Sequence, residues 1–236
     1  MMKLKHLVLT RFNVAAPGRE QSISLKPGWL DGRFDLFEKY CLPSVKNQTN
    51  HNFTWVVFFD TATPSAYKQK IERLQRIYPF KAEFTALFEM DRIVPSFLSR
   101  DNGESWLLTT RLDSDDILSD DFVSNLQDIA AKPKRIVINF YCGTILSVTG
   151  STAKVYETED VSNPFASLLE PLDSNSKSIW AVQHTALESF AEVFHENAAP
   201  RWMQLVHGTN VSNRVKGKRI SLKKHSSRFQ VLRKMA

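Results

Sequence analysis

Apolar positions along this chain follow two different periods. Near-continuous apolar and β-branched runs at His6–Phe12, Phe53–Phe59 and Trp106–Thr110, with a shorter one over Lys81–Leu87, read as strands inside a sheet. Between them, apolar residues recur at three- and four-residue steps. Phe34, Phe37 and Cys41 follow a cap at Asp31 and end or bend near Pro43; Tyr67, Ile71, Leu74 and Tyr78 follow the Thr63-Pro64 start. Ile93, Val94, Phe97 and Leu98 predict a helix over 91–101, and Phe122, Leu126 and Ile129 one capped by Ser119. Strand and helix thus take turns from residue 6 to 131. That order predicts an α/β fold: a mostly parallel central sheet flanked by helices, with the carboxyl ends of its strands on one edge. The second half is mixed. It offers a strand over 135–140, a hairpin of Thr144–Val148 with Thr152–Tyr156 about Gly150, and a helix from Thr185 through Phe194.

The polarity changes abruptly where Trp106-Leu107-Leu108-Thr109-Thr110 runs into Arg111-Leu112-Asp113-Ser114-Asp115-Asp116. In open α/β sheets ligands bind at the carboxyl ends of strands. Two carboxylates one residue apart there suit a hard divalent cation, Mg²⁺ or Mn²⁺, that keeps positions open for phosphate oxygens. The competing reading of the acidic run is a solvated turn that caps the next helix. Arg11 and Asn13 end the first strand and Asp60 the second, so the same edge offers a guanidinium to phosphate and a carboxylate to a base or ribose; a structural ion pair for Arg11 and a turn cap by Asp60 through Thr61 or Thr63 are the competing readings. Glu170 stands beside apolar residues, where burial would raise its pKa toward general-base work; the competing reading is a plain surface glutamate before Pro171. His184, His195 and His207, each taken singly, read as core or surface histidines sooner than as ligands.

At 236 residues and 42% hydrophobic content the chain has room for one large core. Most of its 16 Phe and five Trp belong inside it. The two cysteines, Cys41 and Cys142, lack metal-like spacing and fit a reducing compartment; no run has the length of a signal core or a membrane span, so a cytoplasmic protein is expected. Net charge is +6, yet residues 214–236 hold nine Lys/Arg and no acid. The expected organisation is therefore a catalytic domain over 1–213 and a basic tail over 214–236. Such a tail suits anionic lipid at the inner membrane face, the protein's own phosphate ligand as a mobile lid, or plain solubility; nucleic acid is the weakest partner, with Phe229 its single aromatic.

Arg11-Phe12-Asn13, Cys41-Leu42-Pro43-Ser44, Asp60, the run from Thr110 to Asp116, Asn163-Pro164-Phe165, and Trp202 through Ser212 with its His207-Gly208-Thr209-Asn210 together resemble the bacterial family of rhamnosyltransferases, a branch of the glycosyltransferase A fold. The resemblance implies a sugar moved from a nucleotide-diphosphate donor to a glycan or lipid-linked acceptor. Asp113 and Asp115 take the place of the metal-binding carboxylates and His207 that of a further metal ligand for Mn²⁺ or Mg²⁺. Asn210 and Ser212 fall where the diphosphate is held, with Arg11, Asn13, Asp60, Arg111 and Asp113 completing the donor site. Glu170 is the expected base, with Asp116 behind it. Two other readings stand beside this one: a sugar nucleotidyltransferase, for which Asn13-Val14-Ala15-Ala16-Pro17-Gly18 is a poor glycine-rich loop, and a non-catalytic carbohydrate or lipid-surface module.

Overall fold

The computed structural model describes residues 3–14, 26–88, 104–208, 210 and 213–235. Its main sheet contains seven strands in the order β10-β6-β9-β4-β1-β2-β3. In chain order these are β1 (Leu4–Arg11), β2 (Thr54–Asp60), β3 (Lys81–Thr85), β4 (Trp106–Arg111), β6 (Ile136–Phe140), β9 (Ser167–Pro171) and β10 (Val193–Glu196). All neighbours run parallel except β9, which is antiparallel to both β4 and β6. The carboxyl ends of β1, β2 and β4 therefore share one rim. A second sheet, β12-β8-β7-β11-β5, contains the hairpin β7 (Cys142–Thr149) and β8 (Thr152–Glu159), then β11 (Trp202–Val206), the short β5 (Ile117–Leu118) and β12 (Lys218–Ile220). Gly150 turns the hairpin at φ 57, a value only glycine adopts without strain.

Period-two alternation sorts the strand residues onto the two faces of the main sheet. From β2, Trp55, Val57 and Phe59 enter the large core, while Val56 and Phe58 enter a smaller one on the opposite face. Helices α1 (Trp29–Leu36), α3 (Ser65–Ile77) and α4 (Phe122–Ala130) cover the large core through Phe34, Ile71, Leu74, Phe122 and Leu126. Among the described residues the opposite face is covered by the irregular segment around Leu172 and Trp180 together with Phe88, rather than by an α-helix. The helix predicted over 91–101 lies outside the described residues.

The helix that starts with α1 does not stop at Pro43. It passes through a π turn, Phe37–Cys41, into α2 (Leu42–Lys46), and the Leu42 N–H reaches back to the Phe37 carbonyl. The wider turn leaves Phe37 and Cys41 in the main core and turns Tyr40 into the core of the second sheet. Asp31 does not cap this helix: it lies in the first turn, after Gly28, and accepts the Tyr67 hydroxyl at 2.7 Å. Ser119 does not cap α4 either. Gln48, from the far end of α2, accepts the Val123 N–H at 3.0 Å and donates to the Ser119 carbonyl at 2.8 Å.

Two larger differences concern the second half. Residues 185–194, with Ala186, Leu187, Phe190 and Phe194 at helical spacing, form a short 3₁₀ turn (His184–Ser189) followed by β10, which adds to the sheet edge beside β6. The basic segment after 213 is not a tail. β12 pairs with β8, and α5 (Gln230–Met235) follows; Phe229 and Leu232 are fully buried in the second core, so the expected boundary at 213 is absent. Four of its nine cations pair with acids of the body: Lys216 with Asp160, Lys224 with Glu157, Arg228 with Asp121 and Arg233 with Asp120.

A buried polar chain ties three strands together. His6 on β1 accepts from the Gln127 amide at Nδ1 (3.0 Å) and so donates from Nε2 to the Thr110 hydroxyl (2.9 Å), which meets Ser167 on β9 at 2.8 Å. Burial lowers the His6 pKa from 6.5 to about 3. Between those values the unfolded chain binds a proton that the folded one refuses, so this histidine makes stability fall with pH below 6.5. From pH 7 to pH 5 the loss is about 2 kcal/mol. Denaturant titrations at both pH values are expected to show that wild type loses this much more than His6→Gln; equal losses would contradict the neutral buried ring.

Candidate functional site

β4 ends at Arg111 beside Leu9 of β1, and the chain then turns through Asp113-Ser114-Asp115-Asp116. The three carboxylates behave differently because their surroundings differ. Asp113 is a third exposed and meets Arg111 Nη2 at 3.3 Å. Asp115 is almost wholly buried, with Arg33 Nη1 at 3.3 Å from one oxygen and His207 Nε2 at 3.1 Å from the other. Burial alone would raise its pKa, but the hydrogen bond with His207 and the charge of Arg33 outweigh it and hold the carboxyl below its usual range. Asp116 is pushed well above that range, by burial first and then by Asp115 and Asp113. Its Oδ1 accepts the Leu205 N–H at 2.9 Å, which fastens β11 to this turn two residues before His207.

Asn210 completes that fastening. Its side chain accepts the His207 N–H and donates to the Leu205 carbonyl at 3.2 Å, so it shapes the turn that presents the imidazole. Ser212 lies outside the described residues. Across 92 positions of sequence the fold thus brings Asp115 and His207 into contact.

Arginine lines the rest of the rim. The Arg111 guanidinium lies 4.0 Å from the Trp180 ring centroid, and Arg11 is 5.7 Å from Trp180 and 5.8 Å from Phe88. Trp180 itself donates from Nε1 to the Leu9 carbonyl at 3.3 Å. Asn13 accepts the Asp60 N–H at 3.1 Å and donates to the Thr63 hydroxyl at 3.0 Å, joining the ends of β1 and β2; one Asp60 oxygen accepts the Ala62 N–H at 2.7 Å.

Glu170 is elsewhere. Its partner on β4 is Leu107, four residues back from Arg111, about 13 Å along the strand. There it is buried, its pKa raised by that burial, and its Oε1 accepts the N–H groups of Lys177 (2.8 Å) and Ser178 (3.0 Å). It anchors the segment that delivers Trp180 to the rim and does not meet the aspartates. Arg33 and Trp180 are the functional candidates that sequence reasoning misses. Arg33 has a faint signal, standing one turn after Trp29 on the same helix face, where its guanidinium lies 5.2 Å from that ring.

Two cis ligands about 2.1 Å from an octahedral ion stand about 3 Å apart, and Asp115 Oδ2 and His207 Nε2 are 3.1 Å apart. The Ser114 hydroxyl and the Nε groups of Arg33 and Arg111 are buried without a partner among the described residues, as expected where polar groups gather for a ligand. Asp115 and His207 fit the ion, with Asp113 as the remaining carboxylate within the same turn. Among the described residues no cluster of three such ligands is already closed.

A family model described as "Putative rhamnosyl transferase" matches residues 5–219. No curated protein matches the chain in sequence. Residues 1–349 of S. aureus TarS in complex with UDP-GlcNAc share its fold at a TM-score of 0.51 and 10% identity, over 91% of this chain and 62% of that one. The Pyrobaculum calidifontis mannosyltransferase PcManGT, in complex with GDP-Man and Mn²⁺, aligns at 0.44 and 12% identity over 87% and 58%. The chain spans about three fifths of the length of the TarS 1–349 structures it matches, and 37% of the longer TarS structure.

Proposed function

The chain belongs to the family of rhamnosyl transferases, and on that premise we propose that it moves a sugar from a nucleoside-diphosphate donor to an acceptor hydroxyl. Rhamnose is the sugar carried by the family's description, and a glycan or lipid-linked acceptor completes the reading. The observation that supports it best is the contact of Asp115 with His207, set among Arg33, Arg111 and Arg11 on a single rim. Paired carboxylates alone are common; carboxylates ringed by guanidinium groups at the end of a parallel strand form a site for a metal-bound diphosphate.

In this reading Asp115 and His207 hold Mn²⁺ or Mg²⁺, with Asp113 beside them. Bound there, the ion supplies charge stabilisation to the departing diphosphate. Arg111, kept flat by Trp180, and Arg11 bind phosphate oxygens and neutralise the charge that grows on them as the bond to the anomeric carbon breaks. Asp60 takes the base or ribose through the oxygen that the turn does not use. Asn13, Asn210 and Asp116 position the strand ends that carry these groups.

No helix among the described residues is long and apolar enough to cross a membrane. Peripheral contact with anionic lipid, at the cytoplasmic face, would rest on Arg214, Lys218, Arg219, Lys223 and Lys234, since the other four cations of that segment are engaged with acids.

The test is turnover. Purified protein incubated with Mn²⁺ and UDP-GlcNAc, GDP-mannose or dTDP-rhamnose is expected to release nucleoside diphosphate from at least one of them, using water as acceptor. No release from any of the three donors would overturn the proposal.

A further inference from the structure

One buried amide holds the loop between β8 and β9 in place. Asn163 Nδ2 donates to Asn139 Oδ1 (2.6 Å) and to the carbonyls of Phe140 and Asp160 (2.9 Å each), while its Oδ1 accepts the Phe165 N–H at 3.0 Å. Asp160 accepts the Ser162 N–H at 2.8 Å. The Ser162 carbonyl is therefore fixed in direction, and it receives a hydrogen bond from Nδ1 of His184. A carbonyl oxygen can only accept. Nδ1 must carry the ring proton, and the neutral imidazole keeps its lone pair on Nε2, which bonds to none of the described residues. A tautomer fixed by a backbone carbonyl, with the basic nitrogen left open, is what a general base requires.

Both ends of this arrangement lead to the rim. β9 begins at Ser167 opposite Thr110, and the Ala166 carbonyl accepts the Arg111 N–H at 3.1 Å, so the chain from Ser162 to Ala166 arrives beside the carboxyl end of β4. From the other direction, His184 opens the 3₁₀ turn that follows Trp180, whose ring lies against Arg111. Glu170, the carboxylate first expected in this role, is separated from the rim by the length of β4.

We propose that His184 is the general base of the transfer, an inference that rests on the transferase reading above. The acceptor O–H gives its proton to Nε2 while its oxygen bonds to the anomeric carbon. The bond from that carbon to the phosphate oxygen breaks, and its electron pair leaves with the nucleoside diphosphate. Direct displacement of this kind inverts the anomeric configuration.

Donor hydrolysis tests the step, because water then stands where the acceptor hydroxyl would. His184→Gln is expected to lower kcat by about 10²- to 10³-fold while UDP affinity, measured by calorimetry with Mn²⁺, stays within about threefold of wild type. Added imidazole is expected to restore His184→Gly by about tenfold or more, which a merely structural histidine would not show. A kcat for His184→Gln within about threefold of wild type would overturn the assignment, as would a loss that tracks UDP affinity and ignores imidazole. Wild type inert toward UDP-GlcNAc, GDP-mannose and dTDP-rhamnose alike would remove the transferase reading first, and this inference with it.

Discussion

Asp115→Ala is expected to lower the kcat/KM for donor turnover by about 10³-fold or more, roughly 4 kcal/mol of lost transition-state stabilisation. The size follows from what this carboxylate touches. It is nearly buried, and its two oxygens face Arg33 at 3.3 Å and His207 at 3.1 Å. Alanine removes the anion and leaves a guanidinium and an imidazole facing each other without it, so the charge balance of the site is lost along with the proposed metal ligand. Asp115→Asn keeps the shape and isolates the charge. It is expected to retain the fold by thermal unfolding and still to lose about 10²-fold or more in turnover. Asp113→Ala, at a third-exposed carboxylate with one arginine partner, is expected to unsettle the fold less. Turnover of Asp115→Ala close to wild type would mean that the acidic turn serves only the fold.

The largest expected effect on stability belongs to Gly143→Ala. Gly143 on β7 pairs with Trp202 on β11, and a methyl group built there would lie 2.1–2.3 Å from atoms of the indole ring. The ring has nowhere to go: it is buried, stacks on Phe165 at 5.0 Å between centroids, and donates to the Phe140 carbonyl at 2.7 Å. Overpacking of a closed core costs about 1–3 kcal/mol, and a contact this short against an indole anchored on two sides belongs at or above about 3 kcal/mol. Denaturant unfolding is expected to show a lower midpoint with an unchanged slope. β11 runs straight on to His207, so Gly143→Ala should also weaken nucleotide binding through a shifted imidazole. A change under about 0.5 kcal/mol would mean that the indole is not seated against β7.

The parallel half of the fold is legible in the sequence because buried parallel strands need nearly continuous apolar runs, and Phe53–Phe59 and Trp106–Leu108 cannot be satisfied on a surface. The acidic turn is legible for a related reason, since its polarity begins where β4 ends. Local patterns fail where a distant partner decides. Residues 185–194 have helical spacing, but β6 offers an open parallel edge, and Val193–Glu196 takes it. The nine cations after 213 look like a solvated tail until Phe229 and Leu232 are seen to be buried, with Asp120, Asp121, Glu157 and Asp160 holding four of them. The spacing of Phe229 and Leu232, three residues apart, was the available sign of a buried helical turn.

The site divides in the same way. Asp113, Asp115 and His207 are visible as residue types in a suggestive order. Arg33 has only its spacing from Trp29 as a sign, because its approach to Asp115 depends on how α1 packs over the turn, and no local period encodes that. Glu170 shows the opposite failure. Its apolar neighbours leave a surface glutamate and a buried base both open; the structure buries it, with two backbone N–H groups on its carboxylate and away from the acidic turn. His184 has no sequence signal of its own, since its tautomer is set by a carbonyl on a loop that Asn163 holds.

The proposed function depends on Asp115 and His207 gathering a divalent ion and a diphosphate at the end of β4. Isothermal calorimetry of UDP, GDP and dTDP with and without Mn²⁺ measures that directly. The expected result is that at least one nucleotide binds with micromolar affinity in Mn²⁺, about tenfold or more weaker without it, and that Asp115→Ala abolishes the dependence on the ion. Nucleotide binding that is indifferent both to Mn²⁺ and to the loss of Asp115 would contradict it.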